Sequence, residues 1–188
     1  MEKKKKHEKK IARMIRTECT GCGACCTDTM VPVNDADVKR LMKATGKAAD
    51  QIVRLFPPDE TDYEPDREGW IKFDYGKRIL GLKKKDGHCL FLDDAKRCLV
   101  YAARPVTCRT FPLHIKYDQE GRLKDINYIP EVKCARTIGK PASLERLLAV
   151  AIQEDVEDER FYNKIERWNK RRRKSGKKAF LKFMGLGS

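Results

Sequence analysis

The sequence predicts a small α+β domain, with short antiparallel strands and hairpins, flanking helices, and a basic arm at each end. Three observations lead there. Apolar residues recur at helical spacing near both ends of the chain, but at strand spacing from about residue 70 to 129. Eight cysteines fall into two groups: Cys19, Cys22, Cys25 and Cys26 in one short run, then Cys89, Cys98, Cys108 and Cys134 in the second half. The formal charge of +14 is concentrated at the ends, with +6 on residues 1–16, +10 on 160–188 and −2 between them. A length of 188 residues favours one domain. The expected organisation is a basic N-terminal arm over 1–16, a cysteine-rich domain over 17–159, and a basic C-terminal helix and tail over 160–188.

Taken in order, residues 1–16 suit a basic helix with Ile11, Met14 and Ile15 as a thin apolar stripe. Residues 17–27 form the cysteine loop, where Gly21 and Gly23 let the backbone turn tightly. Asn34 or Asp35 caps a helix running to about Ala44, with Val38, Leu41 and Met42 on one face and Gly46 as its stop. A second helix is expected from Ala48 to Phe56, ending before Pro57-Pro58. The acidic stretch Pro57–Glu68 reads as a loop. Strands follow at Trp70–Tyr75, Arg78–Leu82, Phe111–Tyr117 and Leu123–Ile129, the last two joined by a turn at Asp118–Gly121. Ser143 starts a helix that buries Leu144, Leu147, Leu148, Ala151 and Ile152 and continues into the basic 160–174 segment. From Gly176 onward the sequence reads as a flexible tail.

Hydrophobic residues make up 40% of the chain and charged ones 37%, so the apolar core is lean and bound metal would add to its stability. No stretch approaches the ~20 apolar residues of a membrane span. The N-terminus is basic but lacks the apolar segment of a secretory signal, so a cytoplasmic protein is expected. In a reducing compartment eight cysteines point to metal rather than to four disulfides. Adjacent residues such as Cys25 and Cys26 also fit disulfide geometry poorly. Glycine-rich nucleotide loops and a Ser/His/Asp set are absent from the sequence.

In Cys19-x2-Cys22-x2-Cys25-Cys26, each two-residue gap lets successive thiolates curl onto one centre, while the adjacent pair points in different directions. The pair can hold two irons of one cluster, or one thiol can face a second site. Eight thiols allow two four-coordinate sites, or one [4Fe–4S] cluster with four thiols left over. The expectation is a metal-centred domain carrying an iron–sulfur cluster of the [4Fe–4S] type, with zinc as the alternative. His88, beside Cys89, is an alternative ligand.

The N-terminal knot, followed by Cys89-x8-Cys98-Leu-Val-Tyr101-Ala-Ala-Arg104-Pro105-Val-Thr-Cys108-Arg109-Thr-Phe111-Pro112, resembles the YkgJ-type cysteine-cluster family. That family is described as zinc- or iron-chelating and includes the flagellin lysine N-methylases. The resemblance spans about residues 19–140, with Cys134 in the place of a late family cysteine. It implies that all eight cysteines belong to one metal-containing region. It also brings in a protein-lysine methylase-like enzyme as an alternative function, on family membership alone. Beside such a region Arg104 and Arg109 would offset the negative charge left on a thiolate-bound metal. Tyr101, Phe111 and Pro112 would pack to keep it dry.

The arms lie outside that resemblance. Lys170, Arg171, Arg172, Arg173 and Lys174, then Lys177 and Lys178, form a dense positive run with Trp168, Phe180 and Phe183 among them. Cations hold phosphates and aromatics stack on bases, so RNA or a ribosome is the expected partner. This gives a further alternative, an RNA- or ribosome-associated protein with a structural metal. A solvated tail or an anionic membrane surface are the other readings.

Overall fold

The computed structural model describes residues 23–27, 30–64, 66–118, 120, 123–129 and 143–187. The expected N-terminal basic helix, Cys19, Cys22, Cys134 and half of the Asp118–Gly121 turn lie outside the described residues. Helices and short antiparallel strand pairs in small sheets make an α+β fold.

After a single helical turn α1 (Ala24–Thr27), helix α2 spans Asp35–Thr45 with the expected limits. The Asn34 side chain accepts the Asp37 N–H at 2.9 Å, and the Asp37 carboxylate accepts the Asn34 N–H at 3.3 Å. Gly46 ends the helix in the left-handed region at φ +67°, its N–H donating to the Met42 carbonyl at 2.8 Å. The expected Ala48–Phe56 helix is corrected: α3 (Ala49–Ile52) is one turn, and the chain then becomes strand β1 (Val53–Phe56). Tertiary pairing overrides local propensity here, because β1 lies antiparallel to β3 (Gly76–Leu82), with Val53 opposite Leu82 and Phe56 opposite Ile79.

On the other edge of β3 lies β2 (Ile71–Phe73), giving the order β1-β3-β2. The chain leaving α1 joins that same edge, since Pro32 bridges Gly81 and the Val33 N–H donates to the Leu80 carbonyl at 3.1 Å. Only glycine fits at position 81. A Cβ there would stand 2.6 Å from Met30 Sδ and 3.0 Å from the Phe56 ring. A two-residue hairpin, β4 (Lys84–Lys85) with β5 (His88–Cys89), follows directly. Helix α4 (Val106–Thr110) then leads into the hairpin β6 (Leu113–Tyr117) and β7 (Leu123–Tyr128).

Helix α5 (Leu144–Asn169) starts at Ser143, whose hydroxyl accepts the Arg146 N–H at 3.3 Å. At 26 residues it is long enough to serve two cores. Leu147 packs on the β6–β7 hairpin with Leu113 and Ile126, while Phe161, Ile165 and Trp168 enter the main core with Leu41, Ile52 and Ile71. Its last turn also finishes the sheet. Asn169 accepts the Lys72 N–H at 2.7 Å and donates to the Trp70 carbonyl at 2.9 Å, occupying the open edge of β2.

The expected flexible tail is corrected as well. Residues Gly176–Phe183 form helix α6, and Phe180, Leu181, Met184 and Leu186 are buried. Phe180 meets Trp168 edge-on at 5.3 Å between centroids and Phe73 at 5.8 Å. Lys177 is turned inward, its ammonium donating to the carbonyls of Asp50 (3.0 Å) and Val53 (2.6 Å). In sequence the lysines of this segment mask its apolar face, which is why the segment reads as solvated. Phe180→Ala is expected to cost about 3–5 kcal/mol in denaturant unfolding. A cost below about 0.5 kcal/mol, typical of exposed positions, would contradict a structural role for α6.

Candidate metal centre

Five cysteines fall within the described residues, and three separate stretches of chain deliver them. Cys25 and Cys26 ride on α1, their sulfurs 3.8 Å apart. The turn that starts α1 needs Gly23 at φ +73°, with Leu92 and Lys96 packed where a side chain would begin. Cys89 ends β5, and Cys98 returns beside it through a bridge to Leu92, whose own N–H donates to the Cys89 carbonyl at 2.9 Å. Cys108 comes from the middle of α4. All five are partly buried, and no disulfide joins them.

Helix α1 is held against the β4–β5 hairpin from both sides. His88 Nδ1 lies 3.1 Å from the Thr27 hydroxyl, and Lys84 Nζ donates to the Thr27 carbonyl at 2.9 Å. His88 thus uses that nitrogen to dock the N-terminal knot on the hairpin. The thiols then sense one another across the fold. The hydrogen bond with Cys26 pushes the Cys25 thiol far above its ordinary value, with burial adding to it. Burial raises Cys89, and the charges of Cys98 and Cys25 add to it. Burial also raises Cys108 strongly, followed by the charges of Cys25 and Cys89. Arg104 acts the other way on both Cys25 and Cys108.

This donor set fits a soft metal. Partly buried thiols resist losing their protons, and a bound cation reverses that preference. Sulfur-only donors match zinc or iron–sulfur chemistry. Among the described residues no three Cys, His, Asp or Glu side chains are close enough to complete a site by themselves.

The sequence model of the CxxCxxCC family, described as "Putative zinc- or iron-chelating domain", matches residues 18–135. The chain belongs to the CxxCxxCC family. Neither the curated proteins nor the solved structures contain a match to it. The family segment holds all eight cysteines of this CxxCxxCC protein, whereas α5 and α6, which close its core, lie outside it.

Two side chains expected to flank the metal are arranged differently from the expectation. Tyr101 is 53% exposed and does not pack to keep the site dry; its ring carries the Arg104 guanidinium at 3.7 Å, and its carbonyl accepts Arg104 Nε at 3.0 Å. Arg109 donates to Gln153 of α5 at 3.1 Å, and burial together with the charge of Arg40 lowers its pKa. Of the two arginines, Arg104 is the one prominent among the charges acting on the thiols.

Asp37 is the residue that sequence reasoning misses in this CxxCxxCC protein. Its buried carboxylate accepts the Val106 N–H at 2.9 Å, takes a hydrogen bond from Arg40, and so ties the start of the Cys108 helix to α2. Burial holds its carboxyl above the ordinary range despite those donors. Glu154 clamps the opposite side of α4, accepting the hydroxyls of Thr107 (2.8 Å) and Thr110 (3.4 Å). The only sequence signal for Asp37 is its place three residues after the Asn34 cap. Asp37→Ala is expected to destabilise the protein by about 2–4 kcal/mol in urea, leaving the Val106 N–H without its acceptor and Arg40 with Glu157 alone. An unchanged midpoint would remove Asp37 from the scaffold of Cys108.

Proposed function

We propose that the protein holds an iron–sulfur cluster, with zinc as the alternative metal, through two groups of cysteines far apart in sequence. The observation that carries this reading is the approach of the N-terminal knot to the second-half cysteines. Cys25 acts on both Cys89 and Cys108, and α1 packs directly on β5. Cys25 and Cys26 come from one segment, Cys89 and Cys98 from a second, and Cys108 from a third. A cluster with several metal atoms also gives the adjacent Cys25 and Cys26 separate atoms to bind, which one tetrahedral ion does less readily.

The proposed ligands come from Cys19, Cys22, Cys25, Cys26, Cys89, Cys98, Cys108 and Cys134. Arg104 contributes positive charge that favours the thiolates of Cys25 and Cys108. Such a charge beside the ligands tunes metal lability and potential. A bound cluster would supply one-electron redox capacity, and zinc would supply structural closure. The Asp37–Val106 bond and the His88–Thr27 contact keep the thiol-bearing segments in register.

Anaerobic purification followed by iron, sulfide and zinc analysis tests the reading. Brown protein with stoichiometric iron and acid-labile sulfide is expected; colourless protein holding zinc alone would overturn the cluster. Cys108→Ser is expected to lose most of the metal and to unfold more easily, since metal binding and folding are coupled. Full metal content in that variant would rule out a centre shared between the two cysteine groups.

A further inference from the structure

The densest positive charge of the sequence, +10, falls on residues 160–188, outside the cysteine-bearing segment. Because α6 folds back onto the core, the α5–α6 connection becomes a fixed loop. Lys170, Arg171, Arg172 and Arg173 are all exposed on it. Arg171 is braced over the rings of Trp168 (5.6 Å) and Phe183 (5.4 Å). Arg172 and Arg173 have no carboxylate partner among the described residues. Lys72 and Lys77 line a cleft with Asp66, Glu68, Asp155, Asp158, Glu159 and Glu166; beside the loop, Glu166 lies 3.9 Å from Lys170 and Asp74 accepts the Lys174 N–H at 3.4 Å.

That last contact brings the loop against the tip of the β2–β3 hairpin, where Tyr75 is 52% exposed. One side of its ring stacks on Phe73 at 5.1 Å and 17°, and Arg78 lies over it at 5.0 Å. Exposed Lys72 and Lys77 flank the tip. Guanidinium and ammonium groups on two neighbouring elements, with the Arg78 guanidinium laid on the Tyr75 ring, have the parts of a single-strand nucleic-acid site: cations for phosphates and a planar stack for a base. Of the aromatics that the sequence suggests for stacking, Trp168 and Phe180 are buried, and Phe183 is half-buried with Arg171 over its ring. The apolar face of α6 is likewise enclosed in the core, so that helix offers a bilayer no apolar face.

We infer that the 170–174 loop and the β2–β3 tip together bind single-stranded nucleic acid, with Arg172 and Arg173 on phosphates and a base resting on the Arg78 guanidinium that the Tyr75 ring supports. The contact is sequence-tolerant, because every base offers a π-face.

Fluorescence anisotropy of the full, metal-loaded chain with labelled oligouridylate and oligothymidylate, from about 50 to 200 mM salt, tests this. Binding is expected to weaken steeply with salt. The double variant Arg172→Ala/Arg173→Ala should flatten the log–log salt slope by about 1.4 and weaken binding about tenfold or more. Tyr75→Ala should weaken it about tenfold while keeping the slope, and Tyr75→Phe should restore it. Both alanine variants are expected to keep their metal and melting temperature. Salt-insensitive binding, wild-type affinity in the arginine double variant, or tighter binding to phosphatidylserine vesicles than to either oligonucleotide would overturn the inference. Equal loss in Tyr75→Ala and Tyr75→Phe would remove stacking from it.

Discussion

Thiols gathered in a half-dry pocket repel one another as thiolates, and a cation is what makes their proximity favourable. In this protein the described thiols come from distant stretches of chain, and the proposed centre requires the fold to hold them together. Much of the architecture bears on that constraint. The three-stranded sheet anchors the chain leaving α1 through Pro32 and Gly81, and the β4–β5 hairpin carries Cys89 up to α1. Helix α2 supplies Asp37, and α5 supplies Glu154, to clamp α4 from two sides.

These clamps are polar and buried, which makes them sensitive. Glu157 shows how the set is balanced: burial pushes its carboxyl up, but hydrogen bonds from Arg40 and Gln153 outweigh it and leave its pKa lowered. Arg40 sits between Asp37 and Glu157 and so links α2 to α5 through charge. Breaking one partner leaves the others buried without compensation, a larger loss than a surface ion pair represents. The cysteine region therefore rests on a network outside the sulfur atoms. Helices α5 and α6, beyond the family segment, close the core beneath it. No helix among the described residues is long and apolar enough to cross a membrane.

The cysteine grouping, the α2 helix with its Asn34 and Gly46 limits, the β2–β3 and β6–β7 strands and the start of α5 at Ser143 were all legible in the sequence. Each carries a local signal: a cap, a stop, an alternating run. The β1 strand was not, because Ala48–Phe56 suits a helix until Val53 meets Leu82 across the sheet. Helix α6 was hidden for a different reason. Its buried Phe180, Leu181 and Met184 are interleaved with Lys177, Lys178 and Lys182, and composition alone averages the two faces. Asp37 and Tyr75 take their importance from neighbours brought by folding, Val106 for one and the 170–174 loop for the other. Pairings of that kind leave no periodicity to read.

The central claim is that distant cysteines share one sulfur-lined metal centre. X-ray absorption at the metal edge of the anaerobically purified chain tests it most directly. The account predicts a first shell made of sulfur at about 2.3 Å, with short metal–metal scattering from a cluster. A first shell dominated by nitrogen or oxygen would contradict it.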